Sequence, residues 1–100
     1  MIGVIMNIAA HADVLVVDDH PLYRGGVLQM LARRAPNFTC RAACDGTEAL
    51  AALQHSSGCD LIIADHRLPG DLDGLALLAR VADLYPTAAR VLVSGNDDAR

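Results

Sequence analysis

Apolar residues in this chain come in short unbroken runs rather than in alternation with polar ones. Val14-Leu15-Val16-Val17 is the first such run, Leu61-Ile62-Ile63-Ala64 the next, and Val91-Leu92-Val93 a third. The first, β-branched at Val14, Val16 and Val17, suits a strand buried on both faces, as in a parallel sheet, and the other two read as strands as well. The stretch from Phe38 to Ala43 reads as a further strand. Between these runs the apolar positions change to helical spacing. Pro21 fits a first helical turn, where its missing N–H costs nothing. From there Leu22, Val27, Leu28, Met30 and Leu31 recur up to Arg33-Arg34. Gly25 and Gly26 weaken this helix, and Ala35-Pro36-Asn37 ends it. Asp45-Gly46-Thr47 is a turn and capping signal for a second helix that closes at Ser56-Ser57-Gly58. A third helix is expected over Gly74 to Leu84, with Leu75, Leu78, Val81, Ala82 and Tyr85 on one stripe and the first three of these in the core. Pro86 stops it.

Strand and helix therefore alternate three times before a closing strand. That order implies right-handed crossovers and a parallel sheet. In such sheets ligands bind beyond the carboxyl ends of the strands. Three of the four strands end there in oxygen-bearing side chains: Asp18-Asp19, Asp65 and Ser94. Two adjacent aspartates repel one another, and a third carboxylate on the same rim makes a hard, oxygen-rich site suited to Mg2+. His20 and His66 flank these acids without the spacing of a ligand pair, and read as solvated rim histidines; His11 and His55 read as surface residues.

Composition narrows the function classes. The chain has 100 residues, a net charge of −4 and no lysine, its eight basic residues all being arginine. One globular domain is expected, and an acidic balance without clustered cations argues against direct nucleic-acid binding. Cys40, Cys44 and Cys59 lack the spacing of a zinc site or a disulfide framework, and are expected as reduced core thiols of a cytoplasmic protein. No apolar run reaches membrane-spanning length. Residues 1–12 read as an N-terminal extension and 13–100 as the domain.

In this order and spacing, VLVVDDHPLYRGGVLQML, DLIIADHRLPGDLDGLALLARV and RVLVSG resemble the receiver domain of two-component response regulators. The resemblance implies a flavodoxin-like, doubly wound α/β fold. It implies that Asp65 is the phosphoacceptor for a sensor histidine kinase or phosphotransfer protein. It further implies that Asp18, Asp19, Asp65 and the backbone carbonyl of Arg67 hold Mg2+, and that the Ser94 hydroxyl, with the Gly95 N–H, contacts the phosphoryl group. The protein would be a signalling module rather than an enzyme. Two departures accompany the likeness. The L-P-G-D-L-D-G loop is one residue longer than the common form. The chain also stops before the family's fifth strand, its last two helices and the lysine that pairs with the acceptor. The expected sheet is thus four strands in the order 2-1-3-4, its last strand an exposed edge through which copies could associate. Two other readings compete: a degenerate, non-phosphorylated interaction module, and an aspartate-nucleophile phosphatase. The phosphatases want Asp-x-Asp after the first strand, and here the acids are adjacent.

Overall fold

A computed structural model of the chain describes residues 11–56 and 58–93. The elements are β1 (Ala12–Val17), α1 (Pro21–Arg34), β2 (Phe38–Ala43), α2 (Gly46–Gln54), β3 (Leu61–Asp65), α3 (Gly74–Leu84) and β4 (Ala89–Val93). All four strands are parallel, in the order β2-β1-β3-β4. The parallel sheet is the one expected from the alternation of elements, and its strand order is the flavodoxin-like one that the family resemblance implied. Residues 1–10, Ser94 and Gly95 lie outside the described residues. No helix among the described residues is long and apolar enough to cross a membrane.

The unbroken apolar run of β1 is explained by its central position. Val14, Leu15, Val16 and Val17 are all essentially inaccessible, because both sheet faces above this strand are covered. On one face Leu15, Val17, Ile62 and Ala64 pack with Ala49 and Leu53 of α2 and with Leu77, Leu78 and Val81 of α3. α1 packs against β1 and β2 on the opposite face. Its own side chains are buried only in part. No residue of α1 is fully buried, and Leu22 is 93% exposed.

The helices begin as their sequences dictate. Asp45 caps α2 by accepting from the Glu48 N–H at 2.8 Å, while Glu48 Oε1 reaches back to the Cys44 N–H. Asp73 caps α3 by accepting from the Ala76 N–H at 2.8 Å. α1 has Pro21 at its start and no side-chain cap.

Two expectations are corrected. Leu75 is 60% exposed rather than in the core, and Leu77 is fully buried in its place. Gly74, Leu77, Leu78 and Val81 form the buried face, the i, i+3, i+4, i+7 pattern counted from a glycine held against β3, so Leu75 falls a quarter-turn away. The cysteines are free as expected, but none is fully buried, and Cys59 packs against the edge of the core. Cys44 is exposed, and Cys40 and Cys59 are half-buried. Burial pushes both of the latter thiols above their ordinary value.

Candidate functional site

Strand register brings the carboxylates together. Val17 pairs with Ala64, so the residues that follow them, Asp18 and Asp65, stand level at the carboxyl end of neighbouring strands. Asp18 extends the ladder beyond β1 by donating its N–H to the Ala43 carbonyl at 3.0 Å. This draws its side chain inward: Asp18 is 3% exposed, the one buried charged residue among those described. Asp19, next in the chain, faces outward. The Asp65 side chain is 18% exposed, open enough for a reactant to approach.

One ligand atom each from Asp18, Asp19, His20 and Asp65 lies within 4.8 Å of the others. The imidazole accounts for the inclusion of His20. Its Nδ1 stands 3.0 Å from Asp18 Oδ1, 3.2 Å from Asp19 Oδ1 and 3.9 Å from Asp65 Oδ2. The His20 backbone N–H also donates to Asp18 Oδ1, at 2.8 Å. The hydrogen bond to Asp18, and after it the charge of Asp19, raises the pKa of the His20 imidazole above its ordinary value. His20 is exposed as expected, yet its ring is engaged with the acids rather than merely solvated. His66 departs further from its expectation. It is half-buried and outside the converging set, and its Nδ1 is shielded from solvent without a hydrogen-bond partner among the described residues.

Around this cluster the backbone is clamped from three sides. Arg24, in the first turns of α1, donates from Nη1 to the Asp18 carbonyl at 2.6 Å, tying the helix to the end of β1. His66 donates its N–H to the Val93 carbonyl at 2.7 Å, prolonging the β3–β4 ladder past Asp65. Gly74 donates to the His66 carbonyl at 3.1 Å. A Cβ at Gly74 would lie 2.0 Å from the Asp65 carbonyl oxygen, so only glycine lets α3 start this close to the acid-bearing strand. Arg67 lies just beyond, its N–H making a long 3.4 Å contact with Asp65 Oδ1, and with Asp19, His20, Leu68 and Pro69 it lines an open cleft beside the carboxylates. Neither the Arg24 clamp nor the Gly74 approach is signalled by spacing.

The donor set is carboxylate oxygen with one imidazole nitrogen, a chemistry suited to a divalent cation. Comparison with known proteins points the same way. Residues 14–100 match the response regulator receiver domain. The C4-dicarboxylate transport transcriptional regulatory protein DctD of Rhizobium meliloti is 34% identical over 90 residues, which are 90% of this chain but 19% of that protein. A response regulator from Burkholderia pseudomallei, solved with a phosphorylated aspartic acid, calcium ion and citrate, superposes with a TM-score of 0.74 at 30% identity, over 85% of this chain and 48% of that one. The response regulator TrrA of Thermotoga maritima, solved in complex with Mg(2+)-BeF, gives 0.75 at 27% identity, over 89% and 74%.

Proposed function

This chain belongs to the receiver-domain family of two-component response regulators, and on that premise we propose that Asp65 accepts a phosphoryl group from a sensor histidine kinase or phosphotransfer protein. The observation that carries the reading is the convergence of Asp18, Asp19 and Asp65 on one strand rim. Asp18, Asp19, Asp65 and the backbone carbonyl of Arg67 would hold Mg2+. The carboxylate oxygens fit such an ion, since their mutual repulsion needs a dication nearby and water can fill the remaining positions. When bound, the ion neutralises charge on the transferring group.

The remaining chemistry belongs to the chain. A carboxylate oxygen of Asp65 attacks phosphorus, the new O–P bond forms, and the N–P bond of the donor phosphohistidine breaks. Its leaving imidazole carries away the electron pair. Asp65 is held for this by the backbone clamps on either side of it, from β4 and from the start of α3. Ser94 and Gly95 would contact the phosphoryl oxygens. The domain, taken as residues 13–100, would act in the cytoplasm as an acceptor without turnover, and its acidic charge disfavours direct nucleic-acid binding.

Acetyl phosphate with Mg2+, followed by borohydride trapping and mass spectrometry, tests this. Modification at Asp65 that is lost in Asp65→Asn is expected. Labelling that persists in the Asn variant would move the acceptor elsewhere. Unlabelled wild-type protein would favour a non-phosphorylated interaction module.

A further inference from the structure

The N-cap of α1 differs from the other two. Asp45 and Asp73 use their side chains to cap their helices, whereas His20 makes no side-chain cap bond. Its imidazole is turned to the acidic rim instead, with the backbone pinned by the bond from its N–H to Asp18 Oδ1. These contacts are a hydrogen bond and ion-pair distances, and they bring the ring nitrogen and one oxygen of each acid within 4.8 Å of one another, close enough to share one ion. Around an octahedral ion with bonds of about 2.1 Å, neighbouring ligand atoms stand about 3.0 Å apart and opposite ones about 4.2 Å. His20 Nδ1 lies 3.0 and 3.2 Å from the oxygens of Asp18 and Asp19, the length of such edges. Its 3.9 Å separation from Asp65 Oδ2 falls between edge and diagonal. The side chain is 68% exposed, so the ring is free to adjust by a few tenths of an ångström.

We propose that His20 is a nitrogen ligand of the rim's cation and biases the site toward divalent transition metals such as Co2+, Mn2+ or Zn2+ over Mg2+. This rests on the reading of the rim as a divalent-cation site. Mg2+ is a hard ion that keeps oxygen ligands and water, and gains little from imidazole. First-row transition ions bind nitrogen increasingly well along the Irving–Williams order. Three carboxylates alone would leave that preference modest, and a fourth, borderline ligand widens it. The ring must be neutral to bind the ion.

The test uses the whole 100-residue chain, stripped with chelator, at about pH 8 and again about one pH unit higher, since the hydrogen bond to Asp18 holds the His20 imidazole above its ordinary range. Mg2+ and Co2+ affinities are measured by titration calorimetry, and the visible Co2+ spectrum is recorded in parallel. Wild type, His20→Asn, Asp19→Asn and the remote His55→Asn are compared. His20→Asn is expected to weaken Co2+ by about tenfold or more and to shift its spectrum, with Mg2+ changed by less than about twofold. Asp19→Asn should weaken both ions, and His55→Asn neither. Because His20 is exposed, unchanged far-UV circular dichroism is expected in its variant. Equal Co2+ binding by wild type and His20→Asn, with Asp19→Asn still impaired, would overturn the His20 assignment and leave the rim site standing. Loss of Co2+ in His55→Asn equal to that in His20→Asn would place the ion elsewhere and overturn it too. Wild-type protein that binds neither ion would sink the rim reading and this proposal together.

Discussion

Gly74→Ala adds one methyl group at the place where α3 touches the acid-bearing strand. The new carbon would lie 2.0 Å from the Asp65 carbonyl oxygen, 2.8 Å from its carbonyl carbon and 3.0 Å from the His66 Cα. Ordinary contact begins near 3.4 Å, so the start of α3 must withdraw by roughly 1.4 Å. Every obstructing atom is backbone, and none can rotate aside as the end of a side chain could. The helix is also poorly placed to retreat, since Leu77 and Val81 are fully buried against the sheet. Overpacking of this kind costs about 1–3 kcal/mol, and straining the Gly74 to His66 hydrogen bond adds about 1 kcal/mol. Exchanging glycine for alanine in a helix returns at most about 1 kcal/mol. A net loss of about 1–3 kcal/mol is expected, a substantial share of a small domain's margin of about 5–15 kcal/mol. Urea unfolding followed by far-UV circular dichroism measures it, and acetyl-phosphate labelling of Asp65 should slow in parallel. Gly46→Ala is the milder comparison, because its nearest obstructions, Leu72 Cβ, Cδ2 and carbonyl oxygen, stand at 2.8, 2.9 and 3.0 Å rather than 2.0 Å. A Gly74→Ala protein with the wild-type unfolding midpoint would refute the packing argument.

The same chemical change should act in the opposite direction in α1. Gly25 and Gly26 have nothing within 4 Å of a built Cβ, so either alanine variant should gain about 0.5–1 kcal/mol in the same urea experiment; a loss would mean that something packs on that face. Cys44 is exposed, whereas the thiols of Cys40 and Cys59 are half-buried and raised in pKa, so limited iodoacetamide near neutral pH should modify Cys44 first, as peptide mapping would report. Among the described residues β4 pairs only with β3, and its Val91 and Leu92 are 43% and 38% exposed. Light scattering at micromolar concentration should therefore find dimers or larger species, reduced by Leu92→Lys, and a monodisperse, cooperatively unfolding monomer would count against edge pairing.

The strands were legible because β1 and β3 are short apolar runs without interruption, though only β1 is sealed on both faces, and their order was implied by the family resemblance rather than by the runs. The rim could be located for the same reason: the residue after a buried parallel strand has to emerge at the carboxyl edge. The phase of α3 was not legible. Leu75, Leu77 and Leu78 are all leucine, and the contact of Gly74 with the Asp65 backbone, which sets the rotation of the helix, is a long-range fact. The orientation of His20 was hidden in a similar way. Its ring turns to its chain neighbours Asp18 and Asp19 at 3.0 and 3.2 Å, but that this also brings it within 3.9 Å of Asp65, 45 residues later, is a product of the sheet that spacing does not show. Nothing in the sequence singles out Arg24, and only the fold places the Asp18 carbonyl within its reach.

α1 combines two central glycines, no side-chain cap and no fully buried residue, while β1 beside it is sealed on both faces. Amide hydrogen exchange should divide the molecule along that seam. The amides of Leu15 to Val17 should exchange only when the whole domain opens, and those of α1 through frequent local fraying. Asp18 lies on the slow side of the seam, and Asp19 and His20 lead into the fast side. Half of the acidic pair is thus anchored to the most persistent strand, and the other half rides on the most labile helix. A cation bridging them would join the two regimes, so protection in α1 should rise with occupancy of the rim while protection in the core of β1 moves only with global stability.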